Sequence, residues 1–456
     1  MSDLYLILTA IVILGSLLRS YRRTGDPLSP LFAFAPMLFY VYVYHPYVVI
    51  AGGELSRIFP KIETQDLEYV LLVNLVSLVA FCTGASSHRR SAGDDRRFQI
   101  LDQDVSSQSR QRFFNLSVIL GTMAGVSFWY LAFQSGGPVK LWNDNKPHFS
   151  GASGYIGEMP MLTYPAILLL AAAWQGRRLS LGRLLFALGI ASPQISWAIL
   201  GKRRGTIFLI AAALAAFWYL VKNKRPNWKI VIGGVGMLGL FLLFVAANRS
   251  SGAVFNLGGE SQSRLGMTLT GNNLSVGDEF VSSVALVLTS DYHSHHYWGK
   301  RFLVMFCVRP IPSFLWPSKW KDVGLAGLQT EPGLGGMGPS LWSEAVGSVP
   351  AGGTAGGFVG DAFLEWGWGG VLACYGLGFG FSWLWKRWAS RQGVWTLIYI
   401  EAMILSIFLP SQSLGAWAYR FALLAVPTAI VFRFLKPQRT TRLATSNQPP
   451  IPMQTF

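Results

Sequence analysis

The chain has 456 residues, 51% of them hydrophobic and only 13% charged, with mean hydropathy +0.37 and formal net charge +16. So little charge cannot cover a soluble protein's surface, which excludes an ordinary soluble enzyme and points to a polytopic membrane protein. The cations sit in short clusters flanking apolar runs, so they write membrane topology and call for no nucleic-acid partner; Cys82, Cys307 and Cys374 show no CxxC or Cys/His ligand spacing.

A helix needs roughly 20 apolar residues to cross about 30 Å of hydrocarbon. That rule predicts an all-α fold with about 11 spans, near 3–18, 28–51, 67–86, 113–133, 158–175, 184–200, 206–221, 230–247, 367–385, 393–410 and 415–435. The first run, Leu4 to Leu18, is followed by Arg19, Arg22 and Arg23, the reverse of a cleaved signal peptide, and reads as a membrane anchor. Four regions result: an N-terminal transmembrane bundle (1–247, about eight spans), a long loop (248–366), three C-terminal spans (367–435), and a polar, Pro-rich tail (436–456) expected to be disordered.

Alternate loops sort by charge. Arg19–Arg23, Arg89–Arg112, Arg177–Arg183, Lys222–Lys229, Lys386–Arg391 and Arg433–Arg442 are basic, whereas Gly52–Gln65 and Gln134–Gly157 are nearly neutral. The positive-inside rule places the basic set in the cytoplasm, the N-terminus outside and the C-terminus inside. One outer loop breaks the pattern: "GKRRG", with Lys202, Arg203 and Arg204. Either Leu184–Leu200, interrupted by Pro193, dips in and returns, or a cationic cluster is kept outside to hold an anion.

The loop from Asn248 to Trp366 exceeds a hundred residues, which is long for an idle connection. Its apolar stretches, Phe280–Leu288 and Phe302–Trp316, are too short to span, and its tryptophans suit the lipid headgroup level, so it reads as extracytoplasmic, interfacial and carrying short helices.

Reactive side chains cluster in three outer stretches. Besides GKRRG these are "SDYHSHHYWGKRFLVMFCVRPIPSFLWPSK" and "GGFVGDAFLEWGWGG". Arginine is the natural phosphate partner, so Arg203, Arg204, Arg309 and Arg420, with Lys202, are candidates for a pyrophosphate clamp. Arg301 and Lys319 read equally well as cations snorkelling to lipid phosphate. His293, His295 and His296 are spaced by two and one, which fits neither a helical face nor a zinc signature; they read as solvated loop residues or as a general base. Asp361 and Glu365, four apart, share a helical face and read as a base or as partners of a nearby arginine. Trp298, Trp316 and Trp342 read as sugar-stacking platforms or interfacial anchors. No GxSxG, Walker, Rossmann, HExxH or DxD signal appears, so no metal or cofactor is expected.

Three stretches resemble, in order, segments of Wzy-type oligosaccharide repeat-unit polymerases. "GKRRGTIFLIAAALAAF" is similar to their Gly-x-Arg helix start. The second stretch matches at Tyr297, Gly299, Lys300, Pro312, Leu315, Trp316, Pro317 and Lys319. The third matches at Asp361, where glutamate is usual, with Gly367 and Gly370. The likeness covers under a fifth of the chain. It implies a bacterial inner-membrane glycosyltransferase that joins undecaprenyl-pyrophosphate-linked oligosaccharides, donor and acceptor, on the outer face by metal-independent inverting displacement. Membrane lipids and a chain-length regulator of the Wzz type are the implied partners. An O-antigen ligase sharing this plan, and a flippase for lipid-linked sugars, are the alternatives; no paired repeat of the transporter kind is visible.

Overall fold

The computed structural model describes residues 1–24, 28–53, 55, 58–88, 107–138, 154–200, 204–222, 279–312, 315–330, 336–349, 355–391 and 393–435. Every element among them is helical. The order is α1 (Ser2–Thr24), α2 (Pro30–Phe39, continuing through a π turn at Tyr40–Tyr44 into His45–Ala51), α3 (Thr64–Ala85), α4 (Ser107–Gln134) and α5 (Thr163–Trp174). There follow α6 (Leu181–Leu200), α7 (Arg204–Lys222), α8 (Glu279–Tyr292), α9 (Lys300–Leu303, running into a π turn at Val304–Val308) and α10 (Gly357–Trp366). The chain closes with α11 (Gly370–Arg391), α12 (Val394–Leu405) and α13 (Leu414–Leu435).

Among the described residues, seven helices are long and apolar enough to cross a membrane: Ser2–Thr24, Phe34–Ala51, Thr64–Ala85, Ser107–Gln134, Ile156–Trp174, Val394–Ser411 and Leu414–Phe434. The chain is a helical membrane protein. The expectation of 11 spans is met for these seven. The stretches at 184–200, 206–221 and 367–385 are helical, but their described residues fall below the length or hydropathy of a span. The stretch at 230–247 and the tail after 435 lie outside the described residues. Helix α6 runs through Pro193 without turning back, and its 20 residues extend about 30 Å at 1.5 Å each.

Lipid is as apolar as leucine, so helices in a membrane associate through close packing rather than through expulsion of water. The contact between α3 and α11 is built that way. A Cβ added to Gly84 would lie 2.2 Å from the Tyr375 carbonyl oxygen, and one added to Gly378 would lie 2.1 Å from that of Phe81. The two backbones touch because neither position has a side chain. Around this seam Phe34, Phe81, Phe358 and Phe381 form a chain of tilted and edge-on ring contacts.

One stretch of the long loop departs from the expected interfacial position. Phe280–Leu288 forms most of α8, which lies inside the protein with Phe280, Val281, Val284, Ala285 and Val287 buried. Small residues make room for it: Cβ atoms at Gly356 and Gly360 would fall 2.3 Å from Leu286 Cδ1 and 3.0 Å from Ser283 Oγ. Helix α8 thereby nests on α10, and this segment of the loop belongs to the core.

The ends of the bundle differ in charge. Gly176 N donates to the Val221 carbonyl at 2.9 Å, Arg110 Nη1 to that of Gln175 at 2.9 Å, and Phe113 packs on Phe432. Arg110, Arg177, Lys222 and Arg433 are thus gathered at one end. The opposite end joins the start of the Ile156–Trp174 span, the start of α7, the last residues of α9 and the start of α13.

Candidate functional site

Two ionic clusters sit at that opposite end. The first is closed. Arg301, on α9, donates from Nη2 to Asp361 Oδ1 at 2.7 Å, and its Nη1 lies 3.3 Å from Glu365 Oε1. Arg301, Asp361 and Glu365 are only 6%, 3% and 0% exposed, so this is a buried triad. Asp361 Oδ2 accepts from Gly415 N, and Glu365 Oε2 accepts from Gly299 N, both at 2.9 Å. The four-residue spacing on α10 presents both carboxylates to one guanidinium, while the left-handed Gly299 (φ +82°) turns its N–H toward them. Asp361 is the nearer carboxylate and takes most of the arginine's charge. Burial therefore pushes the Glu365 carboxyl up to about 7, with the Asp361 charge adding to it and Arg301 and the Gly299 N–H pulling the other way.

The second cluster is open. A cavity of about 340 Å³ is lined by Glu158, Tyr164, Gln194, Thr206, Arg309 and Arg420, among others. That volume falls in the range of about 300–1,000 Å³ usual for small-molecule sites. Arg309 Nη2 donates to Glu158 Oε1 at 3.3 Å, and Arg420 Nε lies 3.5 Å from Glu158 Oε2. Arg309 stacks over Tyr419 (4.4 Å) and Arg420 over Phe408 (4.3 Å), and Arg420 Nη1 donates to Gln412 Oε1. These rings and the amide fix both guanidinium groups. Two cations against one carboxylate leave the cavity with net positive charge, and such a site suits an anion with several acceptor oxygens.

Lys319, 4% exposed, sets the arm that carries Arg309. Its Nζ donates to the carbonyls of Val308 (3.4 Å), Arg309 (3.1 Å) and Ile311. It holds the end of the α9 π turn and does not snorkel. Burial, then the Arg309 charge, lowers its pKa.

The predicted site residues divide accordingly. Arg309 and Arg420 come together. Lys202 and Arg203 lie outside the described residues; Arg204 opens α7, whose Thr206 lines the same cavity. Asp361 and Glu365 are engaged by Arg301 and two backbone N–H groups and do not line the cavity. The histidines do not line it either. His296 Nδ1 is 2.9 Å from Ser290 Oγ; that hydroxyl donates to the His295 carbonyl, so the histidine supplies the proton of the 2.9 Å bond. His293 Nε2 lies 3.1 Å from the Leu341 carbonyl. His295 is exposed beside Tyr297, its pKa lowered by burial and by the charges of the other two. Trp298 is exposed, Trp316 donates from Nε1 to Asp322 at 2.7 Å, and Trp342 is buried; none of the three lines the cavity, whereas Trp197 does.

Sequence reasoning missed Glu158 and left Arg301 and Lys319 evenly divided between a ligand role and the lipid surface. The signal for Arg301 was the acidic pair four residues apart, which needs a cation once buried. The signal for Glu158 was a carboxylate at the mouth of an apolar run, on the side where cations also accumulate. Compared with known proteins, the chain matches no family model, no curated protein and no solved structure.

Proposed function

We propose that the chain is a polymerase of lipid-linked oligosaccharide repeat units. The growing glycan would leave its polyprenyl diphosphate carrier for a hydroxyl on the terminal sugar of a second lipid-linked unit. The observation that carries this reading is the convergence of Arg309 and Arg420, from segments 111 residues apart, on one cavity (309 to 420). A diphosphate leaving group gathers charge as its bond to the sugar breaks, and fixed cations are what that transition state needs. The membrane-length helices support a substrate with a lipid tail, and the three resemblance segments, in order, support the reaction class.

The test is polymer analysis in cells deprived of the native chain and supplied with Arg309→Gln or Arg420→Gln at normal membrane abundance. Surface glycan reduced to single repeats is the expected outcome. Full-length polymer left on its lipid carrier would identify a ligase, and unchanged polymer would remove the arginines from the reaction. Purified protein that moves labelled lipid-linked sugar across a vesicle without joining two units would identify a flippase.

A further inference from the structure

Glu158 occupies the place an anionic ligand would take. Its oxygens lie 3.3 Å and 3.5 Å from the two arginines, longer than the about 2.7–2.9 Å of a tight charge-assisted bond. The side chains of Arg309 and Arg420 are 32% and 20% exposed, against 8% for Arg301 in its 2.7 Å pair with Asp361. Neither arginine depends on Glu158 for its position, because Tyr419, Phe408 and Gln412 hold them independently. The Glu158 pairing is loose and replaceable. Among the described residues lining the cavity, Glu158 is also the one carboxylate.

We infer that Glu158 is both the exchangeable counter-ion of the arginine pair and the base of the transfer. This rests on the reading that the cavity receives the donor's diphosphate. As the diphosphate takes over the two guanidinium groups, Glu158 loses its partners and gains an anionic neighbour. A carboxylate freed of its arginines has its oxygens open to accept a hydrogen bond from the acceptor hydroxyl. The acceptor hydroxyl oxygen then bonds to the anomeric carbon. The bond from that carbon to the diphosphate oxygen breaks, its electron pair leaves with the diphosphate, and the hydroxyl proton passes to Glu158. One group thus partners the cation pair while the cavity is empty and is released to take the acceptor's proton when donor is bound.

The idea predicts opposite effects on binding and turnover, which a merely structural ion pair would not give. Full-length protein in detergent is titrated with farnesyl diphosphate, with farnesol as the control lacking phosphate. Glu158→Gln and Glu158→Ala are each expected to bind the diphosphate at least about tenfold tighter than wild type, the scale of one lost competing contact. Polymer formation in cells is expected to fall about 10²–10⁴-fold, the usual contribution of a positioned base. Wild-type binding with neither variant tighter would overturn the counter-ion assignment alone, and retained polymer formation would overturn the base. No diphosphate binding by wild type would defeat the reading of the cavity, and this inference with it.

Discussion

Arg301→Met removes the guanidinium that touches Asp361 and Glu365 in the buried triad and leaves a side chain of similar length. At separations of 2.7 Å and 3.3 Å the two attractions are about 6 and about 5 kcal/mol at an effective dielectric constant of about 20. Most of that sum offsets the desolvation of three ions, which costs several kcal/mol each. The variant feels the difference: two carboxylates stay buried with no cation. Glu365, held up to about 7, already accepts a proton readily. The remaining repair is a proton on the second carboxylate. An aspartate titrates near 3.9 in water and each pH unit is worth about 1.36 kcal/mol, so that proton costs about 4 kcal/mol at pH 7 and about 1.5 at pH 5. The pH 7 figure agrees with the about 3–5 kcal/mol found when one partner of a buried pair is deleted.

The assay is unfolding of the purified protein in detergent, followed by tryptophan fluorescence, at pH 7 and pH 5. Arg301→Met is expected to lose about 4 kcal/mol at pH 7 and less than half of that at pH 5. A loss under about 1 kcal/mol at pH 7, or one that does not shrink on acidification, would refute the account of the triad.

In the wild type, Glu365 contributes a pH slope. Its folded pKa is raised from 4.5 to about 7, so between these values the folded state holds a proton that the unfolded state has lost; stability falls as pH rises through the window, by at most about 1.4 kcal/mol per unit, and Glu365→Gln flattens it. Gly378→Ala sets a Cβ 2.1 Å from the Phe81 carbonyl and is expected to destabilise by about 1–3 kcal/mol in the same assay, whereas Gly380→Ala, with nothing within 4 Å, is neutral. Arg309→Gln or Arg420→Gln is expected to weaken farnesyl diphosphate binding about ten- to a hundredfold in titration, the scale of one hydrogen bond from a charged group. Lys319→Met frees three carbonyls from their shared donor, and diphosphate affinity should fall even though Lys319 does not line the cavity.

The membrane class was legible because it depends on summed hydropathy, which needs no tertiary knowledge. The same sum fails for α8: the nine apolar and small residues Phe280–Leu288 read alike whether they lie on lipid or inside protein, and Gly356 and Gly360 on the facing segment decide it. Arg309 and Arg420 were legible as candidates because cations on a charge-poor face are rare. Their meeting was not, since it depends on how α9 and α13 approach. Spacing left Asp361 open between a base and the partner of an arginine, and the structure pairs it with Arg301. Two carboxylates on one helical face suit catalysis and cation capture equally, and Arg301 lies 60 residues earlier (361 to 301). For the tryptophans, composition gave the residue type but not its depth, and the three singled out range from 1% to 72% exposed.

The two ionic clusters are parts of one device through α9. Eight α-helical steps from Arg301 to Arg309 would rotate the second arginine about 80° away from the first, at about 100° per residue. The π turn closes with Arg309 N donating to Val304 O at 2.8 Å, a five-residue hydrogen bond, and the wider ring turns less per residue, which brings Arg309 back toward the face that carries Arg301. Along this segment Met305 meets Gly415, Phe306 meets Tyr419 and Arg309 stacks over Tyr419, so α13 packs against the π turn. A π turn is a weak element on its own. It is held at its start by the Arg301 triad and at its end by Lys319. The buried acids at Asp361 and Glu365 thus anchor the start of the segment that ends in Arg309, without lining the cavity themselves.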